Sequence, residues 1–172
     1  EADDIISVLV EKLYDKEKIL IVSSDKDFQQ LQRFPNVQQY SPNKKNMIVC
    51  KDPEAFLIEH MVKGDVSDGI PNVLSDDDTF IDPDKKQTTM TKKRLNEAIG
   101  HYTSGALNFE ETQVKYISNW IRNKTMIDMS EIPQEHKDRI LDEWVKPMVG
   151  DKSQVFDYMV DNRLGDMVDI VI

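Results

Sequence analysis

The sequence predicts an α/β half followed by an all-helical half. Three observations carry this. Ile19-Leu20-Ile21-Val22 is a continuous apolar, β-branched run between polar flanks, which suits a strand buried on both faces of a parallel sheet. Two further strand-like runs, 37–41 and 47–51, follow it across the turn Pro42-Asn43-Lys44-Lys45. Beyond the segment 75–89, apolar residues recur only at helical spacing.

The elements follow in order. Ile5, Ile6, Leu9, Val10 and Leu13 mark an amphipathic helix over about 2–14, with an acidic first turn that complements the helix dipole. The strand 19–22 runs into Ser23-Ser24-Asp25-Lys26-Asp27, and a short helix through Phe28 and Leu31 is expected next. Asp52-Pro53 supplies an N-cap and a first-turn proline for a helix with the stripe Leu57, Ile58, Met61 and Val62, stopped at Gly64. The segment 75–89 reads as a long exposed loop. Thr91 caps a helix carrying Leu95, Ala98 and Ile99. Asn108 with Glu111 forms a capping box for a helix with Val114, Ile117 and Ile121. Pro133 opens a helix with Ile140, Leu141, Trp144 and Val145, and a last helix uses Val155, Phe156, Met159 and Val160. Two regions result, 1–74 and 75–172.

The 172 residues suffice for one sizeable core, and 39% hydrophobic with 31% charged residues is ordinary globular composition. No apolar run approaches the ~18–20 residues of a membrane span. The single Cys50 excludes an internal disulfide, fits a reducing compartment such as the cytoplasm, and reads as a small buried hydrophobe. A chain that opens on Glu1-Ala2-Asp3-Asp4, inside a dense acidic motif, reads as lacking an N-terminal part. The net charge of −10 alone counts against nucleic-acid binding. Placement matters more than the sum: carboxylates gathered around divalent cations add charge that the cations offset, and basic residues cluster at Lys44-Lys45, Lys85-Lys86 and Lys92-Lys93-Arg94.

Three acidic groups occupy chemically useful positions. Glu1 and Asp3 open a helix. Asp25 and Asp27 lie just past the C-terminal end of a strand, where open α/β sheets place ligand sites. Asp65 and Asp68 follow a helix-stopping glycine, and in a helix their spacing would put both on one face. Each has an ordinary structural explanation: a dipole device, a turn or cap residue, a solvated face. Their combination in this order is what points to a site. Mg²⁺ is hard and octahedral and is held by a few carboxylates, and two such ions can serve phosphodiester hydrolysis. A site of that kind requires no histidine. None of His60, His101 or His136 has a zinc-like neighbour at ligand spacing, and each reads as an ordinary surface or core histidine. Trp120, Trp144 and the methionines read as core packing.

These residues resemble a known family. Glu1-Ala2-Asp3-Asp4, Ser23-Ser24-Asp25-Lys26-Asp27-Phe28 and Gly64-Asp65-Val66-Ser67-Asp68-Gly69-Ile70-Pro71 are similar to three acidic motifs of the 5′-nuclease (flap endonuclease) superfamily, in the branch of the T-even phage ribonuclease H. The resemblance is close over about the first 75 residues and looser around 126–133. It implies the C-terminal portion of a PIN-like domain with a partly parallel sheet, followed by an α-helical DNA-binding region. It further implies a Mg²⁺-dependent 5′-3′ exonuclease or flap endonuclease, with Mn²⁺ as a substitute, acting on 5′ ends, flaps or RNA primers. By motif, Glu1, Asp3 and Asp25 would line one metal site and Asp27, Asp65 and Asp68 a second, with Asp3, Asp25 and Asp27 closest to catalysis. Asp4 stands beside the first motif as a secondary or structural carboxylate.

Two departures accompany the resemblance. The family's further aspartates and its basic helical arch lie in sequence preceding Glu1. The glycine-rich duplex-gripping hairpin that follows the third motif in many relatives is replaced by Asn72-Val73-Leu74-Ser75-Asp76-Asp77-Asp78, so the duplex grip must differ. Lys85, Lys86, Lys92, Lys93 and Arg94 are either a solvated helix start or contacts to duplex phosphates. Cations at a helix N-terminus are mildly unfavourable, and that favours the second role. The implied partners are DNA or RNA–DNA duplex and the single-stranded-DNA-binding or clamp proteins of a replisome, with the chain a monomer in a host cytoplasm. The alternatives are another PIN-like metal-dependent ribonuclease, or an inactive acidic metal- or protein-binding module.

Overall fold

The structure, a computed structural model, describes residues 1–103, 111–146 and 153–164. The chain divides into two compact units, 1–141 and 142–172. In the first, helix α1 (Ala2–Leu13) leads to strand β1 (Ile19–Val22), a 3-10 helix (Asp27–Arg33), and strands β2 (Val37–Ser41) and β3 (Asn46–Ile48). Helices α2 (Pro53–Lys63), α3 (Lys92–Thr103) and α4 (Glu111–Ile127) follow, then a 3-10 turn, Met129–Glu131. Helix α5 (Gln134–Trp144) crosses the division, and α6 (Ser153–Asp161) belongs to the second unit, where it buries Met159. No described helix is long and apolar enough to cross a membrane. The Asn108–Glu111 capping box falls outside the described residues.

The sheet order is β1-β2-β3, with β1 parallel to β2 and β2 antiparallel to β3. Ile21 enters a core with Val10, Phe28, Leu31, Val37 and Met129. Leu20 and Val22, expected to be buried, are 55% and 62% exposed, because β1 is an edge strand and the described residues cover one of its faces only. On α1 the buried set is Ser7, Val8 and Val10, while Ile5 is exposed. Strand β3 ends before Val49, which is exposed. Cys50 is only partly buried, its N–H tied to Gln32 Oε1 at 2.8 Å.

Buried amides brace this half. Gln30 and Gln39 are fully buried. Gln30 donates to Ile127 O at 3.0 Å and accepts from Met129 N at 3.0 Å, fastening the 3-10 helix to the end of α4. Gln39 donates to Ser23 O at 3.0 Å and Asp25 O at 2.5 Å, fixing the loop after β1. An unpaired amide at either place would cost ~1–3 kcal/mol.

The helices pack through two further cores: Leu57, Met61, Ile70 and Ile127 in one, Val62, Val73 and Ala98 in the other. Trp120 joins both and stacks on Tyr102 at 4.0 Å between ring centroids. Trp144, expected in a core, is exposed, and α5 buries no side chain. Segment 75–89 is a pinned excursion rather than an open loop. Ser75 and Thr79 are buried, Asn72 donates to Thr88 O at 2.8 Å, and Thr88 N donates to Ser75 Oγ at 2.9 Å. From α4, Arg122 donates to Pro71 O at 2.8 Å and pairs with Asp77, while Asn119 and Asn123 donate to the carbonyls of Val73, Ser75, Met61 and Pro71 at 2.7–3.0 Å. This polar ladder holds the chain that leaves the third acidic motif.

Candidate metal centre

Loop chemistry aims each carboxylate. Past the end of β1, Asp25 Oδ1 accepts from Asp27 N at 2.9 Å, an Asx-type turn that starts the 3-10 helix and sets Asp27 in its first turn. Ser24 Oγ meets Ser41 Oγ at 2.7 Å, holding the loop against β2. Helix α2 stops at Gly64, φ 69° and ψ −176°, in a region that only glycine adopts readily. A Cβ there would lie 2.4 Å from Ile70 O. That close approach belongs to a bridge in which Ile70 N donates to Asp65 O at 2.7 Å. Asp65 and Asp68 therefore sit on a tight turn instead of a helix face, with Asp65 buried and Asp68 exposed.

The three motifs converge. Burial raises the Asp3 carboxyl above its ordinary value, and the charges of Asp25 and Asp27 add to the rise. Asp68, although exposed, is raised by the partial desolvation of its carboxyl and then by Asp65, Asp27 and Asp25. Residues from α1, the β1 loop and the turn after α2 thus share one electrostatic neighbourhood. Asp65 takes the opposite course. Burial pushes it up, but hydrogen bonds from Lys26 and Ser67 outweigh this and bring it down to about 2. The Lys26 ammonium lies 2.7 Å from Asp65 Oδ2. Asp4 turns instead to the backbone nitrogen of Glu1, as the N3 carboxylate of a capping box at the start of α1.

A residue outside the expected set lies at the centre. His60, 8% exposed on α2, places Nε2 3.0 Å from Asp27 Oδ1 and 3.4 Å from Asp65 Oδ2. Neither His60 Nε2 nor Asp27 Oδ1 has a hydrogen-bond partner of acceptable geometry among the described residues, although both atoms are buried. Asp27, His60 and Asp65 offer ligand atoms all within 4.8 Å of one another, the arrangement a divalent cation would complete. His60, read from the sequence as an ordinary surface or core histidine, is buried and stands where it could complete a ligand set with Asp27 and Asp65. Its signal is its register: in α2 it lies one turn before Gly64, the turn that carries Asp65, whereas a search for histidine pairs at zinc spacing does not see it.

The basic residues lie on other elements. Lys85 is held by Asp78 at 2.6 Å, Lys93 approaches Glu97 at 3.8 Å, and Arg94 donates to Thr89 O at 2.9 Å. Thr91 caps α3 as expected, accepting from Arg94 N at 3.3 Å. A cleft of about 360 Å³ beside Val73, Arg94, Ala98 and Tyr102 includes no residue of the acidic group.

Sequence comparison places the chain in the T4 RNase H family. Residues 51–171 match the family described as T4 RNase H, C terminal, and the chain belongs to that family. It is 30% identical to the Ribonuclease H of Enterobacteria phage T4 over 175 residues, covering 99% of this chain and 57% of that protein. The chain thus spans little more than half of that relative's length. The T5 D15 protein, solved in a crystal structure with metal ions, shares the fold with a TM-score of 0.52 and 18% identity, over 81% of this chain and 57% of its own.

Proposed function

We propose that the protein carrying this chain is a Mg²⁺-dependent 5′-3′ nuclease that hydrolyses phosphodiesters at the 5′ ends, flaps or RNA primers of duplex DNA. The observation that carries this reading is the convergence of three acidic motifs at the C-terminal end of a parallel strand, in a chain of the T4 RNase H family. The donor set fits divalent cations: carboxylates raised by burial and mutual repulsion, and buried polar atoms without partners among the described residues. Glu1, Asp3 and Asp25 would hold one ion, and Asp27, Asp65 and Asp68 a second. When bound, such ions supply a nucleophilic water at neutral pH and charge neutralisation at the phosphate.

The chain's own residues supply placement. The Asx turn at Asp25 and the glycine stop at Gly64 fix the carboxylates before substrate arrives, so little reorganisation remains for the reaction. Lys26 balances charge at Asp65. Lys85, Lys86, Lys92, Lys93 and Arg94 contribute contacts to duplex phosphates away from the bond that breaks.

The test offers the intact protein three 5′-labelled substrates in Mg²⁺: an RNA primer on DNA, a 5′-flap duplex, and single-stranded RNA. Short 5′ products from the first two, abolished by chelation, are expected. Preferential cleavage of the single strand would instead favour a single-strand ribonuclease.

A further inference from the structure

We propose that His60 is a direct nitrogen ligand of the second cation, the one assigned above to Asp27, Asp65 and Asp68, and that Asp27, His60 and Asp65 form the buried part of a site for a first-row transition ion such as Mn²⁺ in preference to Mg²⁺. This deepens the nuclease reading at the same pocket and rests on it only for the use made of the ion.

The geometry comes first. Ligand atoms about 2.1 Å from one ion, at angles between octahedral and tetrahedral, stand about 3.0–3.4 Å apart. His60 Nε2 lies 3.0 Å from Asp27 Oδ1 and 3.4 Å from Asp65 Oδ2, the separations of neighbouring ligands around a single ion. The three side chains come from the 3-10 helix, α2 and the turn after it, so the cluster is not an accident of one segment's sequence.

The state of the histidine comes second. Its side chain is more than nine-tenths buried, and Nε2 has no hydrogen-bond partner among the described residues. A buried imidazole nitrogen aimed between two carboxylate oxygens is costly unless a proton or a metal ion joins them, and the nitrogen modulation measured below separates the two. The ring is also held in orientation, packed against Phe56 with centroids 5.7 Å apart and planes within 25°. An oriented imidazole nitrogen among carboxylates is a ligand that first-row transition ions accept, with affinity rising from Mn²⁺ along the series, whereas Mg²⁺ prefers oxygen throughout. Lys26 Nζ lies 2.7 Å from Asp65 Oδ2, the oxygen that also faces His60, so the entering ion must share that oxygen with the half-exposed Lys26 side chain or displace it.

The experiment is pulsed EPR on the metal-stripped, intact protein with one equivalent of Mn²⁺, together with calorimetric titration by Mn²⁺ and by Mg²⁺. Wild type should show ¹⁴N modulation on the bound Mn²⁺, converted to a ¹⁵N pattern when histidine is ¹⁵N-labelled. His60→Gln keeps size and polarity, and should abolish the modulation and weaken Mn²⁺ about tenfold or more, with Mg²⁺ affected less. His60→Asn, checked for folding by circular dichroism, should repeat the result. Bound Mn²⁺ without nitrogen modulation in wild type, modulation that persists in His60→Gln, or no Mn²⁺ binding would overturn the assignment. Failure here would leave Mg²⁺-dependent cleavage of 5′ flaps intact. Failure of the nuclease reading would leave the nitrogen coupling in place.

Discussion

Gly64→Ala should be among the most damaging single substitutions in the chain. Gly64 ends α2 at φ 69° and ψ −176°, and an alanine held there carries backbone strain of ~1–3 kcal/mol. Its Cβ would also stand 2.4 Å from Ile70 O and 2.6 Å from both the carbonyl carbon and oxygen of Pro71. All three are backbone atoms, so no rotamer change relieves the overlap, and overpacking adds ~1–3 kcal/mol. The expected loss is therefore ~2–6 kcal/mol. Gly69 supplies the internal control. Its φ is 73°, but a Cβ there meets nothing within 4 Å, so Gly69→Ala should cost only the strain, ~1–2 kcal/mol. The assay is urea denaturation of the intact protein and both variants, comparing midpoints at unchanged slope. Because the Gly64 turn aims Asp65, Mn²⁺ affinity should fall in Gly64→Ala and hold in Gly69→Ala. Equal destabilisation by the two alanines would refute the close-approach argument.

Two further outcomes are expected. Burial pushes the Tyr102 phenol from 10.0 up to about 12, and its hydroxyl donates to Tyr116 O at 2.9 Å. The folded value exceeds the unfolded one, so the stability linked to this proton is complete below pH 10 and is lost as pH rises toward 12. Absorbance of tyrosinate should show a late component that Tyr102→Phe removes; an unchanged titration curve would contradict the burial. Replacing Lys92, Lys93 and Arg94 together by alanine should weaken binding to branched duplex about equally across sequences and flatten its salt dependence, and an unchanged salt slope would leave the cluster a solvated face.

The local signals were legible where sequence alone determines them. Asp52-Pro53 started α2, Gly64 stopped it, Thr91 capped α3, and the period of Ile5 to Leu13 placed α1. What sequence concealed was tertiary. The run 19–22 reads as buried on both faces, and in this chain, which spans little more than half of its phage T4 relative, Leu20 and Val22 are exposed. The buried amides Gln30, Gln39 and Asn123 look like surface residues until their carbonyl partners, up to 97 residues away, are known. The polar run 75–89 is the loop that the sequence indicates, and what sequence conceals is its pinning, because Arg122, Asn119 and the Asn72 network lie on other segments or act through backbone. The acidic residues were visible as motifs. Their combination and the family resemblance already implied a shared site, whereas the position of His60, which depends on a helix bringing it to Asp27, was not legible.

The central claim is that carboxylates from three segments act as one hydrolytic site, and Asp25 tests it most directly. Asp25 lies just past the end of β1, and its charge is felt by both Asp3 on α1 and Asp68 on the turn after α2. Asp25→Asn preserves shape and the acceptor oxygen of the Asx turn while removing one charge from the proposed cation site. The measurement is single-turnover cleavage of a 5′-flap duplex and an RNA–DNA hybrid by the intact protein, with Mg²⁺ titrated to saturation. The account predicts a loss of about a hundredfold or more in rate, with substrate binding changed far less. Cleavage by Asp25→Asn at close to the wild-type rate, at saturating Mg²⁺, would contradict it.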